Sequence, residues 1–381
     1  MNRRFLNLVI KNTADCFYSL RRIDPYKHFF YGSTRAALEA ADEATNKKET
    51  FPAMQTMQLP PPCASFTAAT AGGNMAMFAL LSPRGTSEGR MVYADSEGEA
   101  GLYDADKNSH NILGRLNEPK GMDPVCLSVV HPGDPGQSIM YVLDSCPQES
   151  HPGSGIDRCF EVLESVPTAA AALCSDGKST WWRWRLLPSP PFVLEDGYIS
   201  TTITSYATKV DGNGYSTIYI SAGGIGTYSF ETARLDSSHR QGWRRTEKWS
   251  RVGEWQLPVT GSAHYVPDFN QWLGFLDSTP HHLCAVNLSA MDHERPPTVQ
   301  QVWEDVSPPE GEEWLVANIN LVNLGGGKFL IAKTFEEGPY SHQFTLLTSI
   351  EMIMAGDKSL KMVKHKCARF DLHKESIHWV L

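Results

Sequence analysis

A strand that stops at a proline recurs along this chain, and that recurrence limits the possible folds more than any other feature. The stretches "MQLPPP", "GRLNEP", "RLLPSPP", "EWQLPVTG" and "WEDVSPPEG" place their first prolines at Pro60, Pro119, Pro188, Pro258 and Pro308, separated by 59, 69, 70 and 50 residues. Proline has no N–H to give to a sheet ladder, so it belongs just past the end of a strand. A sixth stretch, "LKMVKHKCARFDL", takes the corresponding place near the C-terminus without the proline.

Between these markers the pattern is of period two. In "TIYISAGGIGTYSFET" Ile218 and Ile220 share one face, as do Tyr228 and Phe230, which marks half-buried strands. Gly223 and Gly224 fall between the strands, where a tight turn calls for positive φ at both. Related second strands follow as "CFYSLRRID", "AGLYDADKN", "RCFEVLES", "HLCAVNLSA" and "QFTLLTSIEM", each after another short apolar run such as "GRMVYAD" or "KFLIAKT".

A repeat of about four antiparallel strands at this spacing cannot cover both of its apolar faces alone. It predicts an all-β fold, a single β-propeller of six blades over residues 1–381, with blades stacked around a channel. The repeats fall at 3–62, 63–119, 124–191, 197–260, 261–310 and 311–372. The first lacks a leading strand, which the tail 373–381, ending in "SIHWVL", can supply. One helix is expected, "STRAALEAADEA" at 33–44, with Ser33 or Thr34 as N-cap. The competing architecture is a pair of β-sandwiches divided near "SPPFVLEDG", which would cut through the repeat.

The fourth repeat resembles a kelch blade, with Gly223, Gly224, Tyr228 and either Trp249 or Trp255 in the pattern's places. The other repeats keep only fragments, such as Tyr103–Asp104 or Trp303. More specifically, the chain resembles the grass-expanded plant family called domain of unknown function 1668. "RRFLNLVIKN", "YSLRRIDPYKHFFY", "LYDAD", "LNEPK", "GIGTYSF", "HYVPDFNQWLGF", "VWED" and "LKMVKHK" carry that likeness. The resemblance implies a plant intracellular protein and brings no activity with it.

Charge and cysteine usage narrow the partners. A net charge of −9 argues against a nucleic-acid binder, whose affinity rests on neutralising phosphates. The eight cysteines include no Cys-x-x-Cys pair and read as reduced, mostly buried thiols. The apolar run in "MNRRFLNLVIKNTADC" is too short for a signal peptide, and no 18-residue apolar run suggests a membrane span. A monomer in the cytoplasm or nucleus is therefore expected.

Motifs for chemistry fail on their spacing. "SDGKST" has Ala172 where a phosphate loop needs its first glycine, and it precedes a strand. Ser154 in "HPGSGID" lacks the Gly-x-Ser-x-Gly frame. Cys146, His151, Asp157 and Cys159 match no compact zinc site, and the adjacent His281 and His282 face opposite ways on a strand. The Glu-x-x-x-Asp-x-x-x-His iron site of the similar plant specifier proteins does not occur. No catalytic residue, metal or cofactor is assigned.

The expectation is a protein-interaction module with an unknown protein partner, either a scaffold or a recognition subunit like those of plant F-box proteins, though no F-box helices precede the strands. The alternative is a metal-dependent enzyme or specifier-type protein using the channel. The expected binding residues lie in "HRQGWRRTEKWSRVGEW": Trp243, Arg244, Arg245 and Trp249. Tryptophan and arginine are the side chains that most often dominate interface energetics. Trp182 and Trp184, sharing a face, are expected to pack between sheets.

Overall fold

The structure is a computed structural model. It describes residues 3–12, 14, 17–46, 54–81, 89–131, 134–149, 158–167, 180–232, 247–289, 291–306, 308, 313–337, 342–356, 359–372 and 375–381. The chain is all-β, and its strands are grouped in antiparallel meanders within two compact units. One unit comprises Met1–Phe66, Pro258–Met291 and Pro297–Leu381; the other comprises Thr67–Leu257 and Asp292–Pro296. Among the described residues no helix is long and apolar enough to cross a membrane.

In the first unit one sheet has the order Glu375–Val380, Leu6–Asn12, Tyr18–Ile23, Ala64–Phe66. The C-terminal strand pairs antiparallel with the first, Leu8 opposite Val380 and Ile10 opposite Ile377. Asn7 and Leu381 exchange both backbone hydrogen bonds at 2.8 Å. Leu8, Ile10, Ile377 and Val380 enter one apolar cluster, so burial of these side chains drives the pairing. A second meander runs through Val259–Val266, Gln271–Leu276, Leu283–Asn287 and Thr298–Trp303.

The third meander of this unit has Trp314–Gly325, Lys328–Glu337, His342–Met354 and Leu360–Asp371, extended by a parallel strand, Met54–Thr56. The first proline marker, Pro60, thus follows a short strand as expected, but that strand pairs outside the sheet of Ala64–Phe66. Pro60 to Pro62 precede Ala64–Phe66, the last strand of their own sheet, because the residues before them join a different sheet.

The second unit holds three meanders. They are Met75–Leu80 to Ser109–Arg115, Val125–His131 to Thr180–Leu186, and Ile203–Val210 to Lys248–Gly253. Their tight connections are set by aspartates whose carboxylates accept nearby backbone N–H groups. Asp95 takes Glu97 and Glu99, Asp104 takes Asp106 and Lys107, and Asp211 takes Asn213 and Tyr215.

The Gly-Gly hairpin joins Ser216–Ala222 to Gly226–Glu231. Its turn closes with the Ile225 N–H on the Ala222 carbonyl, and positive φ falls on Gly224 (74°) and Gly226 (92°), not on Gly223. A single left-handed residue at the third turn position is the type II pattern, not the primed turn the dipeptide suggests. A Cβ on Gly226 would lie 2.4 Å from the Gly253 carbonyl oxygen, so close strand approach also requires glycine there.

Among the described residues two fully buried ion pairs tie loops to sheets. In the second unit Lys120 donates to the carboxylate of Glu161 and to the carbonyls of Glu118 (2.6 Å) and Arg158 (2.7 Å). Glu161 also accepts from both nitrogens of Asn117 and from the Glu118 N–H. In the first unit Lys333 lies 2.7 Å from Asp305 and donates to the His281 carbonyl at 3.0 Å.

The expected helix is present at Thr34–Asn46, with the Ser33 hydroxyl accepting the Ala36 N–H. A one-turn helix, Pro25–His28, precedes it, capped by Asp24 with proline in the first turn.

Candidate functional site

Of the residues expected to bind a partner, Trp243, Arg244 and Arg245 lie outside the described residues. Trp249 is described, and its side chain is buried. It is opposite Phe230 in the strand register, and its ring centroid lies 5.0 Å from that of Phe230 and 5.5 Å from that of Phe160. Its indole N–H donates to the Pro188 carbonyl at 2.7 Å. Alternation along Lys248–Gly253 turns Trp249 inward and its neighbours Lys248 and Ser250 outward. Trp249 therefore anchors the C-terminal root of the 233–246 connection within the core.

The root is fixed a second time by charge. Glu247 accepts two hydrogen bonds from Arg185, at 2.6 and 3.0 Å. Arg185 also donates to Glu164, which pairs with Arg183 as well. Burial works to lower the Arg185 pKa, but its hydrogen bonds to Glu247 and Glu164 outweigh that and raise it. A guanidinium bridging two carboxylates in this way is held rigidly.

Arg183 and Arg185 lie on Thr180–Leu186, the edge strand of its sheet. Trp182 and Trp184 point to the other face and pack in an apolar cluster, as the alternation suggests. Trp181 does not join them. It is 49% exposed, and the Arg183 side chain is 40% exposed. The sequence marks Trp181 as the odd member of the triplet by parity alone; whether that face is covered is decided by residues far away in the chain. The second unit therefore presents an exposed tryptophan and arginine on a stiff edge strand, cross-linked by Glu247 to the root of the 233–246 connection.

A separate shallow concavity of about 460 Å³ lies between residues 195–201 and the Gly223–Ile225 turn. Tyr198 shapes it, donating its hydroxyl proton to the Pro147 carbonyl and accepting the Thr201 N–H. Ile199 stands exposed at its edge.

Among the described residues no group of three or more His, Cys, Asp or Glu side chains could hold a metal ion. Residues 151–157 and 175–179, with Ser154 and the Lys178 region, lie outside the described residues. Cys146 is exposed, whereas Cys159 belongs to the core. His281 occupies a turn at φ 57°, its Nδ1 donating to the Leu276 carbonyl, and His282 Nδ1 lies 3.6 Å from Asp305.

The described residues define an all-β chain of repeated antiparallel meanders with a Trp/Arg edge. This chain belongs to the family described as protein of unknown function DUF1668, whose model matches residues 3–370. No curated protein matches it. Among solved structures it is similar to the β-propeller domain of Cps50 (Swd1) from Myceliophteria thermophila, at 10% identity and TM-score 0.37, covering 93% of this chain and 85% of that one. It is also similar to the α-L-arabinanase of Cellvibrio cellulosa, at 9% identity and TM-score 0.36, covering 76% and 94%. A third is apo AztD from Citrobacter koseri, at 10% identity and TM-score 0.35, covering 96% and 98%.

Proposed function

We propose that the protein is a protein-interaction module of the kelch-like propeller type, and that it docks a partner on the 240–251 segment together with Trp181 and Arg183. The observation that carries this reading is the double anchorage of the segment's root, Trp249 in the core and Glu247 on Arg185, beside an exposed tryptophan and arginine. Binding residues gain from a rigid support, because less side-chain freedom is lost on association. Trp243, Arg244 and Arg245 would supply contact area and positive charge, and Trp249 anchors the C-terminal root of their segment in the core.

The partner surface this chemistry fits is acidic. Arg240, Arg244, Arg245, Lys248 and Arg251 cluster within twelve residues of a chain whose net charge is −9. The same proposal has the protein acting as a monomer in the cytoplasm or nucleus of a plant cell.

The test is co-purification from plant tissue using the tagged chain beside Trp243→Ala/Arg244→Ala/Arg245→Ala and Trp181→Ala/Arg183→Ala variants. A discrete protein retained by the native chain and depleted by both variants supports the reading. Equal recovery with all three proteins removes the surface from it.

A further inference from the structure

His365 is completely buried on the strand Leu360–Asp371, and its two ring nitrogens hold two different parts of one segment. Nδ1 lies 3.2 Å from the Tyr31 backbone nitrogen, whose N–H can only donate, so Nδ1 is the acceptor and carries no proton. Nε2 then carries the proton and donates to Glu351 Oε2 at 3.2 Å. The same Glu351 oxygen accepts the hydroxyl proton of Thr34, the first residue of the helix, at 2.8 Å. One neutral imidazole thus fixes the backbone before the helix directly and the helix's first turn through a carboxylate.

The surroundings decide what a second proton would do. From the strand Lys328–Glu337, Lys328 reaches within 4.0 Å of Glu351 and lies over the Phe30 ring. From the strand of His365 itself, Lys366 lies over the Tyr31 ring. From the strand His342–Met354, Glu351 is the charged group facing the imidazole. From the docked segment come the Tyr31 ring, 6.1 Å from the imidazole, and Glu43, whose charge acts on the Tyr31 hydroxyl.

We propose that His365 is a proton-operated latch on the segment Tyr31–Asn46: neutral, it holds the helix Thr34–Asn46 against the sheet, and protonated, it releases the helix's N-terminal end. Protonation would place an Nδ1–H against the Tyr31 N–H, turning a hydrogen bond into two opposed donors. The release is partial, because the Phe29 carbonyl just upstream is held by groups that do not titrate, the Ser349 hydroxyl and the Lys366 N–H. Burial lowers the His365 pKa; the hydrogen bond and charge of Glu351 oppose this, and Lys328 and Lys366 add to it. A folded-state pKa below the ordinary imidazole value of about 6.5 means the latch is closed above that pH and opens as pH falls through the lowered value.

Hydrogen exchange of the full chain, corrected for intrinsic rates, tests this at pH 7.5 and 5.0. The amides of 31–44 are expected to lose about tenfold protection at the lower pH, the worth of one hydrogen bond, while those of Lys328–Glu337 keep theirs. His365→Gln, whose amide can accept from Tyr31 and donate to Glu351 without titrating, is expected to abolish the pH dependence. Protection of 31–44 that does not change with pH, or that changes equally in His365→Gln, overturns the proposal. Should that variant not fold, the ¹⁵N resonances of the native imidazole decide alone. The Nε2–H tautomer at pH 7.5, titrating together with the Tyr31 amide, supports the latch; the Nδ1–H tautomer refutes it.

Discussion

Replacing Trp249 separates its role as an anchor from any direct role in docking. Its indole is 6% exposed, packs against Phe160 and Phe230, and donates to the Pro188 carbonyl. Trp249→Ala removes the ring from a packed cluster, which costs about 3–5 kcal/mol. Trp249→Phe keeps most of the ring volume but leaves the Pro188 carbonyl without its donor, at about 1–3 kcal/mol. Equilibrium urea unfolding followed by circular dichroism is the assay. With a urea slope of about 3 kcal/mol per molar, the alanine variant's midpoint falls by about 1 M or more and the phenylalanine variant's by about half that. A loss below about 1 kcal/mol for Trp249→Ala would show that the indole is not part of the core, and the anchorage argument would fall with it.

Lys120→Met leaves the Glu161 carboxylate buried without its cation and is expected to destabilise the protein by about 3–5 kcal/mol, read by the same unfolding measurement. Gly253→Ala sets a Cβ 2.2 Å from the Trp255 indole nitrogen, which donates to the Asp292 carbonyl. Displacing that ring should cost about 1–3 kcal/mol, whereas Gly212→Ala, with open space around it, serves as the control. Burial pushes the Cys126 and Cys284 thiols up to about 12 and Cys367 to about 11, so iodoacetamide at pH 8 should leave these three unmodified in the native protein. The exposed Cys63 and Cys146 should be modified before these three, and mass spectrometry of the peptides reads the order.

The meanders were legible in the sequence because period-two alternation and proline are local signals. "WWRWRL" and "LKMVKHKCARFD" are strands where the pattern places them. The sheet joined by the strand before Pro60 was not legible, because local sequence does not say which sheet a strand joins, and Met54–Thr56 joins one formed some 300 residues later. The short helix at Pro25–His28 had a readable signal, Asp24 followed by proline, just past the strand-like "CFYSLRRID". Lys120 and Glu161 stand 41 residues apart, and neither carries any local mark of its burial. The site divides in the same way. The Trp/Arg composition of "GWRRTEKW" drew attention to the segment, but the inward turn of Trp249 and the exposure of Trp181 depend on neighbouring strands.

The central claim is tested most directly by titrating the recovered partner, purified, into the native chain and into Trp243→Ala/Arg244→Ala/Arg245→Ala by calorimetry at two salt concentrations. The account expects the variant to weaken binding at least about tenfold and to flatten its salt dependence, as loss of a Trp/Arg hot spot facing an acidic surface requires. Equal affinity and equal salt dependence for the two proteins would contradict it.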